Sequence, residues 1–350
     1  MALDLYTTYD LIQVVRVQKT IPSFWAQFFP GTLMATTDEI ALDKISDNYK
    51  RLAPFVAPNV QGRVMKRDGF TTISFRPAYV KPKDIVDPST DLVRQAGEAF
   101  ATGSLSLEAR RNAVIGFLLG RQRIIIDNRI EWMCAKAAID GKVVVAGEDY
   151  PSVTVDFRRD ATLTVTLAGG AKWDQGTSTP AADIMNLRRA IKTKSGAVAN
   201  LIIFGENAWT NFYTREVAGK TDVLMNNQIR GSNTSLSMVR DGFEGAEYMG
   251  TYRGSNGAGF ECWVYSAKYE DDSGVLQDMM DTNKVVAMAP DFRGVQCFGA
   301  IRDKRAGFQS MKYFPKNWET EDPSVEYVMT QSAPLPVPVQ ADASACIQTA

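Results

Sequence analysis

The sequence predicts an α+β protein in which one long helix lies against long antiparallel strands, with a mixed α/β module inserted between them. Three observations predict it. Ser106 to Asp140 (SLEARRNAVIGFLLGRQRIIIDNRIEWMCAKAAID) reads as a single helix with one apolar stripe. PSVTVDF and TLTVTL alternate with period two, as half-buried strands do. Strand character then returns near the C-terminus in YFPKNWETEDPSVEYVMTQSAPLPVPV, Tyr313 to Val339.

Taken in order, residues 1–53 form an N-terminal arm. Thr7 or Thr8 caps a short helix carrying Leu11, Val14 and Val15. The arm then reaches IPSFWAQFFPG, where Phe24, Trp25, Phe28 and Phe29 crowd between two prolines. So short an aromatic segment cannot bury itself and must dock, either on its own domain or on a neighbouring chain. Residues 54–84 form an extended β-hairpin: two β-rich runs, Phe55 onward and Phe70 to Phe75, flank the turn signal Arg67-Asp68-Gly69. An isolated hairpin is marginal in water, so this one leans on something outside itself.

Residues 85–178 hold the long helix, with Ser106 as N-cap, Glu108 in its first turn and Gly141 as C-cap. Ile115, Leu119, Ile126, Ile130, Met133 and Ala137 make its stripe. The strands VVVAG, PSVTVDF and TLTVTL follow. Residues 179–312 are the inserted module. In it a helix opens at Thr179-Pro180 and buries Ile184, Leu187 and Ile191, NLIIF is a buried strand, and ENAWTNFYTREV is helical. Residues 313–339 are a returning strand whose Leu335-Pro336-Val337-Pro338 exit lacks ladder donors and so ends it. Residues 340–350 read as a small polar tail, for which disorder is the default.

Composition excludes several chemistries. With no histidine in 350 residues, Ser-His-Asp and Cys-His nucleophiles, His-ligated zinc and HExxH sites are impossible. Cys134, Cys262, Cys297 and Cys346 are too far apart for a CxxC clip and read as free thiols in a reducing cytosol. No apolar run approaches the ~20 residues of a membrane span, and MALDLYTTYD lacks the layout of a signal peptide. Net charge is −1 with no basic run, which disfavours sequence-specific nucleic-acid binding.

The remaining motifs are weak. AGKT at Ala218–Thr221 has Thr214 where a phosphate loop needs glycine, and GSNGAG at Gly254–Gly259 reads as a hairpin connection. Glu270-Asp271-Asp272 and Glu319-Glu321-Asp322 sit in turns, where solvated charge is the default; a carboxylate hydrolase using Glu270, Asp271 and Asp322 is the distant alternative. No metal site, cofactor site or catalytic constellation is expected.

PKNW (Pro315–Trp318), Thr320-x-Asp322-Pro323, Glu326, Met329 and QSAPL (Gln331–Leu335) resemble the C-terminal signature of the lambda-like phage major capsid proteins, the capsid protein E family. YVKPK (Tyr79–Lys83), RGSN (Arg230–Asn233) and Gly169-Gly170 with Trp173 match in order. The resemblance implies the tailed-phage, Hong Kong 97-like capsid fold: N-arm, extended loop, peripheral domain on a spine helix, and axial domain. It implies a structural protein of the virion, assembled in the host cytoplasm as hexamers and pentamers that close into an icosahedral shell around double-stranded DNA, with which contact is non-specific. The implied partners are further copies of the chain, a portal protein, a separate scaffolding protein (the hairpin starts too early for a built-in scaffolding segment) and a decoration protein at three-fold positions. No membrane is involved. Subunit contacts are expected from the arm and hairpin, at Phe24, Trp25, Phe28, Phe29, Lys66, Arg67, Asp68, Phe70, Tyr79 and Lys81, and at Trp318. Lys66, Lys81 and Lys83 are available for a covalent cross-link, but the lambda-like pattern implies none. The alternative within this fold is an encapsulin-like nanocompartment.

Overall fold

The computed structural model describes residues 23–37, 39–45, 52–53, 55–59, 61–62, 70–87, 107–147, 150–218, 224–225, 245–253, 259–271, 273–290, 292–321 and 324–350. The arm makes a 3-10 turn at Ala26–Phe28 and strand β1 (Gly31–Met34). Next come β2 (Ile40–Ile45), β3 (Phe70–Phe75) and β4 (Lys83–Val86). Helix α1 (Leu107–Asp140) leads to β5 (Lys142–Gly147), β6 (Tyr150–Asp156) and β7 (Thr164–Thr166). Helix α2 (Pro180–Ser195), β8 (Leu201–Phe204), α3 (Glu206–Phe212) and β9 (Leu224–Met225) follow. Then come β10 (Ala246–Arg253), β11 (Gly259–Tyr265), β12 (Lys268–Glu270), β13 (Leu276–Asp278), β14 (Lys284–Met288) and β15 (Gly294–Phe298). The chain finishes with β16 (Phe314–Glu321), β17 (Ser324–Gln331), β18 (Pro334–Pro338) and β19 (Ser344–Gln348).

Helix α1 is the strut of the molecule. All six residues of its expected stripe are buried. Its two halves differ, however. The N-terminal half contributes Ile115 and Leu119 to a small core with Val86 and Val328 under the three-stranded sheet β16-β17-β4. From Ile130 to Ile139 burial extends around most of the helix, where small residues such as Cys134, Ala135, Ala137 and Ala138 sit in the main core. That core lies against the seven-stranded mixed sheet β7-β19-β14-β8-β11-β10-β9. Gly141, at φ 66°, ends the helix in the left-handed conformation that glycine adopts without a Cβ penalty.

The expected hairpin is built differently. β3 pairs with β2, Ile40 opposite Phe75 and Ile45 opposite Phe70, so its partner strand lies in the segment assigned to the arm. The run expected to supply that strand is not extended sheet at residues 55–59 and 61–62. The turn Arg67-Asp68-Gly69 lies outside the described residues, as do Ser106 and RGSN.

The returning strand over 313–339 is three strands. β16 and β17 form a hairpin, Phe314 opposite Gln331, and β18 joins a different sheet, β1-β15-β18. The proline-rich exit therefore continues as a strand. The reason is register. Val339 N–H donates to Arg293 O and Gly299 N–H to Ala333 O, which fixes the odd-numbered residues as the ones bonding β15. Pro334, Pro336 and Pro338 fall between them, where no donor is needed.

The segment 340–350 is not a loose tail. β19 lies between β14 and β7, with Ala345, Cys346 and Ile347 buried. Together with β7 it puts residues outside the expected 179–312 module into that module's sheet. A strand covered on both faces shows no alternation, which is why it reads as featureless. TLTVTL is also shorter than expected. The Asp160 carboxylate accepts from the Thr162 N–H at 3.0 Å and its hydroxyl at 2.6 Å, so a 3-10 turn precedes β7. Thr179 precedes α2 as expected, but its side chain makes no capping bond.

Candidate assembly surfaces

The aromatic arm docks on its own chain. Phe24, Trp25 and Phe29 are buried and Phe28 is half-buried within the chain itself, the first of the two docking alternatives open in the sequence. The groove that takes them is assembled from distant segments. Tyr265 meets the Phe24 and Trp25 rings at 5.3 and 5.4 Å, and Phe292 meets Phe29 at 5.8 Å. Gly294 leaves room for the Phe29 ring, which any Cβ there would overlap. Gln296 donates to Phe29 O at 3.1 Å, and β1 runs parallel to β15. Helix α1 supplies Glu131, whose carboxylate accepts the N–H of Trp25 at 2.6 Å and of Ala26 at 2.8 Å.

Several large apolar side chains are exposed among the described residues, the property that marks interaction sites when a patch is contiguous, and three places bear on the expected contacts. Leu52 and Phe55 are 91% and 107% exposed. On one face of the β16-β17-β4 sheet, half-buried Trp318 and Tyr327 and exposed Ile85 lie side by side in register. Trp318 stacks on Tyr327 at 5.4 Å, Lys83 Nζ sits 4.7 Å over the Tyr327 ring, and Ile85 is 57% exposed. Helix α1 shows Phe117, Ile124 and Ile125 to solvent, Phe117 at 71%. Ile85, Phe117 and the Ile124-Ile125 pair were missed in the sequence, although apolar residues opposite a buried helical stripe are a usable signal.

Of the remaining expected contact residues, Tyr79 is half-buried and its hydroxyl donates to Ala300 O at 2.6 Å. Exposed Lys81 lies 4.9 Å over the Tyr79 ring. Phe70 begins β3. Lys66, Arg67 and Asp68 lie outside the described residues.

Two polar joints hold these surfaces in place. Under the β16-β17-β4 sheet, Glu326 accepts from Arg111 Nε at 3.0 Å and Nη2 at 2.7 Å, and from Asn317 Nδ2 at 2.9 Å. Beside it, Gln122 donates to Asp84 at 2.8 Å and to Val328 O at 2.9 Å, and accepts from Thr330 at 2.7 Å. Such bonds fix which turn of α1 faces which strand residue. At the helix C-terminus, Arg159 donates to Ala138 O at 3.1 Å and Ile139 O at 2.8 Å, covering orphan carbonyls at the negative end of the helix dipole. Lys284 on β14 pairs with Asp140 at 2.7 Å.

No grouping of acidic or cysteine side chains among the described residues could hold a metal ion. The Asp271 carboxylate is occupied by the turn it closes, accepting from Ser273 N–H, Val275 N–H and Gln277, and those bonds hold its pKa below the ordinary value. Glu319 and Glu321 are exposed near the β16–β17 turn, and Asp322 lies outside the described residues. All four cysteines are free and buried; burial pushes Cys262 up to about 12 and Cys297 and Cys346 to about 11, which leaves them unreactive thiols. Among the described residues no helix is long and apolar enough to cross a membrane. One cleft of about 680 Å³ lies between the solvent side of α1 at Ile124–Trp132, the β12–β13 hairpin and the arm at Ser23.

Comparison with known proteins accounts for this geometry. The profile of the family described as phage major capsid protein E matches residues 7–348. The major capsid protein of Escherichia phage lambda is 31% identical over 99% of this chain and 100% of its own length. That of Escherichia phage N15 is 30% identical over 95% and 96%. A prophage capsid protein from Escherichia coli CFT073 shares the fold, with a TM-score of 0.70 at 24% identity over 99% of both chains.

Proposed function

Because the chain belongs to the phage major capsid protein E family, we propose that it is the major capsid protein of a tailed double-stranded DNA phage. The match to relatives of that name over nearly the full length of both chains carries this reading. The geometry supports it: large apolar residues stand exposed on several separate elements. A surface patch and a different complementary patch generate rings when the rotation closes, which gives hexamers and pentamers from one chain. Leu52 and Phe55 on one copy, and the Trp318-Tyr327-Ile85 row or the α1 patch on the next, fit such heterologous contacts. Each interface is then of ordinary size, and stability comes from their number. With a net charge of −1 the shell wall binds DNA without sequence preference and weakly, so packing is not arrested.

The finer expectations stand as parts of the same proposal: assembly in the host cytoplasm, a separate scaffolding protein, a portal protein, a decoration protein at three-fold positions, and no covalent cross-link. Electron microscopy of the chain expressed with its neighbouring genes tests the whole. Closed icosahedral shells with hexameric and pentameric knobs are expected. Shells filled with protein cargo and devoid of DNA in infected cells would favour a nanocompartment, and compact monomers with every scaffold candidate present would sink the capsid reading.

A further inference from the structure

The loop that joins β15 to β16, residues 299–313, is built more firmly than a connection needs. Ile301, Ala306 and Phe314 form a small buried core of their own, with Met311 packed on it. Asp303 organises the turn: its carboxylate accepts from the Arg305 N–H at 2.8 Å and from Lys316 Nζ at 2.6 Å. Ile301 N–H donates to Gln309 O at 3.1 Å, and Arg305 Nη1 donates to Asn317 O at 3.1 Å, which ties the loop to β16. This frame presents Arg302, Lys304 and Arg305, all exposed; nowhere else among the described residues do three exposed cations fall within four positions. The loop's one carboxylate is taken by Lys316, so its field is positive. The frame also holds Phe308 59% exposed at φ 58°, a left-handed backbone that a bulky side chain avoids. Neither burial nor backbone preference accounts for that placement within one chain, and strain held by a rigid surround clusters at functional surfaces.

The complement of this surface is on the same chain. β16 runs out to Glu319 and Glu321, exposed alternate residues that share one face of the strand, with Asp322 next in sequence. Among the described residues, Lys304, Glu319 and Glu321 are in no ion pair. Glu321 lies about 13 Å along the strand from the Asn317 carbonyl that anchors Arg305, so Arg305 cannot reach it within its own chain. We propose that the acidic end of the β16–β17 hairpin of one copy seats on the Arg302-Lys304-Arg305-Phe308 loop of a second copy. The carboxylates meet the cations, and the hairpin covers Phe308. The contact joins different patches of identical chains head to tail, the kind that closes rings. It rests on the shell reading and adds to it which surface meets which.

Treating assembled wild-type particles with a zero-length carbodiimide tests the contact without any variant. The reagent takes up the water lost as an amine and a carboxylate in contact form an amide. An amide between Lys304 Nζ and the side chain of Glu319 or Glu321 is expected, in bands of two copies or more on a denaturing gel. Lys304→Glu and Glu321→Lys, each alone, bring like charges together and should lower particle yield about tenfold, and the double exchange should return it to within about threefold of wild type. Phe308→Gly relieves the backbone, so the urea midpoint of the unassembled chain should hold or rise while particle yield falls. Particles that lack the amide overturn the contact and leave the shell reading standing. So do full assembly of K304E or F308G, or a double exchange no better than its parts. Absence of wild-type particles overturns the shell reading, and the contact with it.

Discussion

Glu326→Ala isolates what the buried network under the β16-β17-β4 sheet contributes. Arg111 and Glu326 are 7% and 6% exposed at their side chains, so neither can recover water when its partner is lost. The substitution removes three hydrogen bonds and leaves a guanidinium and the Asn317 amide facing a void. Bonds to charged groups contribute about 1.5–3 kcal/mol each, but three bonds to one carboxylate are not additive, and breaking a buried pair costs about 3–5 kcal/mol. The small neighbouring core of Val86, Ile115, Leu119 and Val328 cannot absorb that loss by collapsing. Urea unfolding of the unassembled chain should therefore show a fall of that size. Arg111→Met with Glu326→Leu should return to within about 1 kcal/mol of wild type, because replacing both charges removes the desolvation cost with the attraction. A loss under about 1 kcal/mol for E326A would refute the reasoning, since it would mean that water reaches the pair. A double variant as unstable as the single one would refute it differently, by showing that shape and not charge is at stake.

Two smaller changes test other joints. Arg159→Ala uncovers the Ala138 and Ile139 carbonyls and should cost about 1–2 kcal/mol, read as a lower urea midpoint. Leu335→Pro deletes a ladder donor of β18 and should cost about 3 kcal/mol, whereas Pro336→Ala should cost under about 1 kcal/mol; equal costs would contradict the assigned register.

The elements that were legible in the sequence share a local cause. Helix α1 announces itself because 34 residues carry one stripe at helical spacing, and α2 because Pro180 and Gly196 bracket its apolar residues. The misread elements depend on distant partners. Nothing in FWAQFF tells that Tyr265, Gly294 and Glu131 build a groove for it, so the choice between own chain and neighbour was open. β19 hides because a strand buried on both faces loses its period, and β18 because a proline count suggests an ending where only the register decides. β3 is legible as a strand, but its partner β2 lies well before the turn signal, in a segment with no local mark of the pairing. The exposed surfaces on α1 and β4 were within reach, since Phe117 and Ile85 are apolar where the pattern calls for polar residues.

The three prolines of β18 have one more consequence. A sheet edge with free N–H groups is a template on which another strand can crystallise, and crowding many identical chains into a shell multiplies such encounters. β18 presents that edge without a single donor at Pro334, Pro336 and Pro338, and α1 packs against it. The β1-β15-β18 sheet can therefore be lengthened only from the β1 side, where the arm already lies. A sheet blind on one side cannot pass strands hand to hand from copy to copy, so however many subunits gather, this part of the molecule offers fibrous aggregation no path to follow.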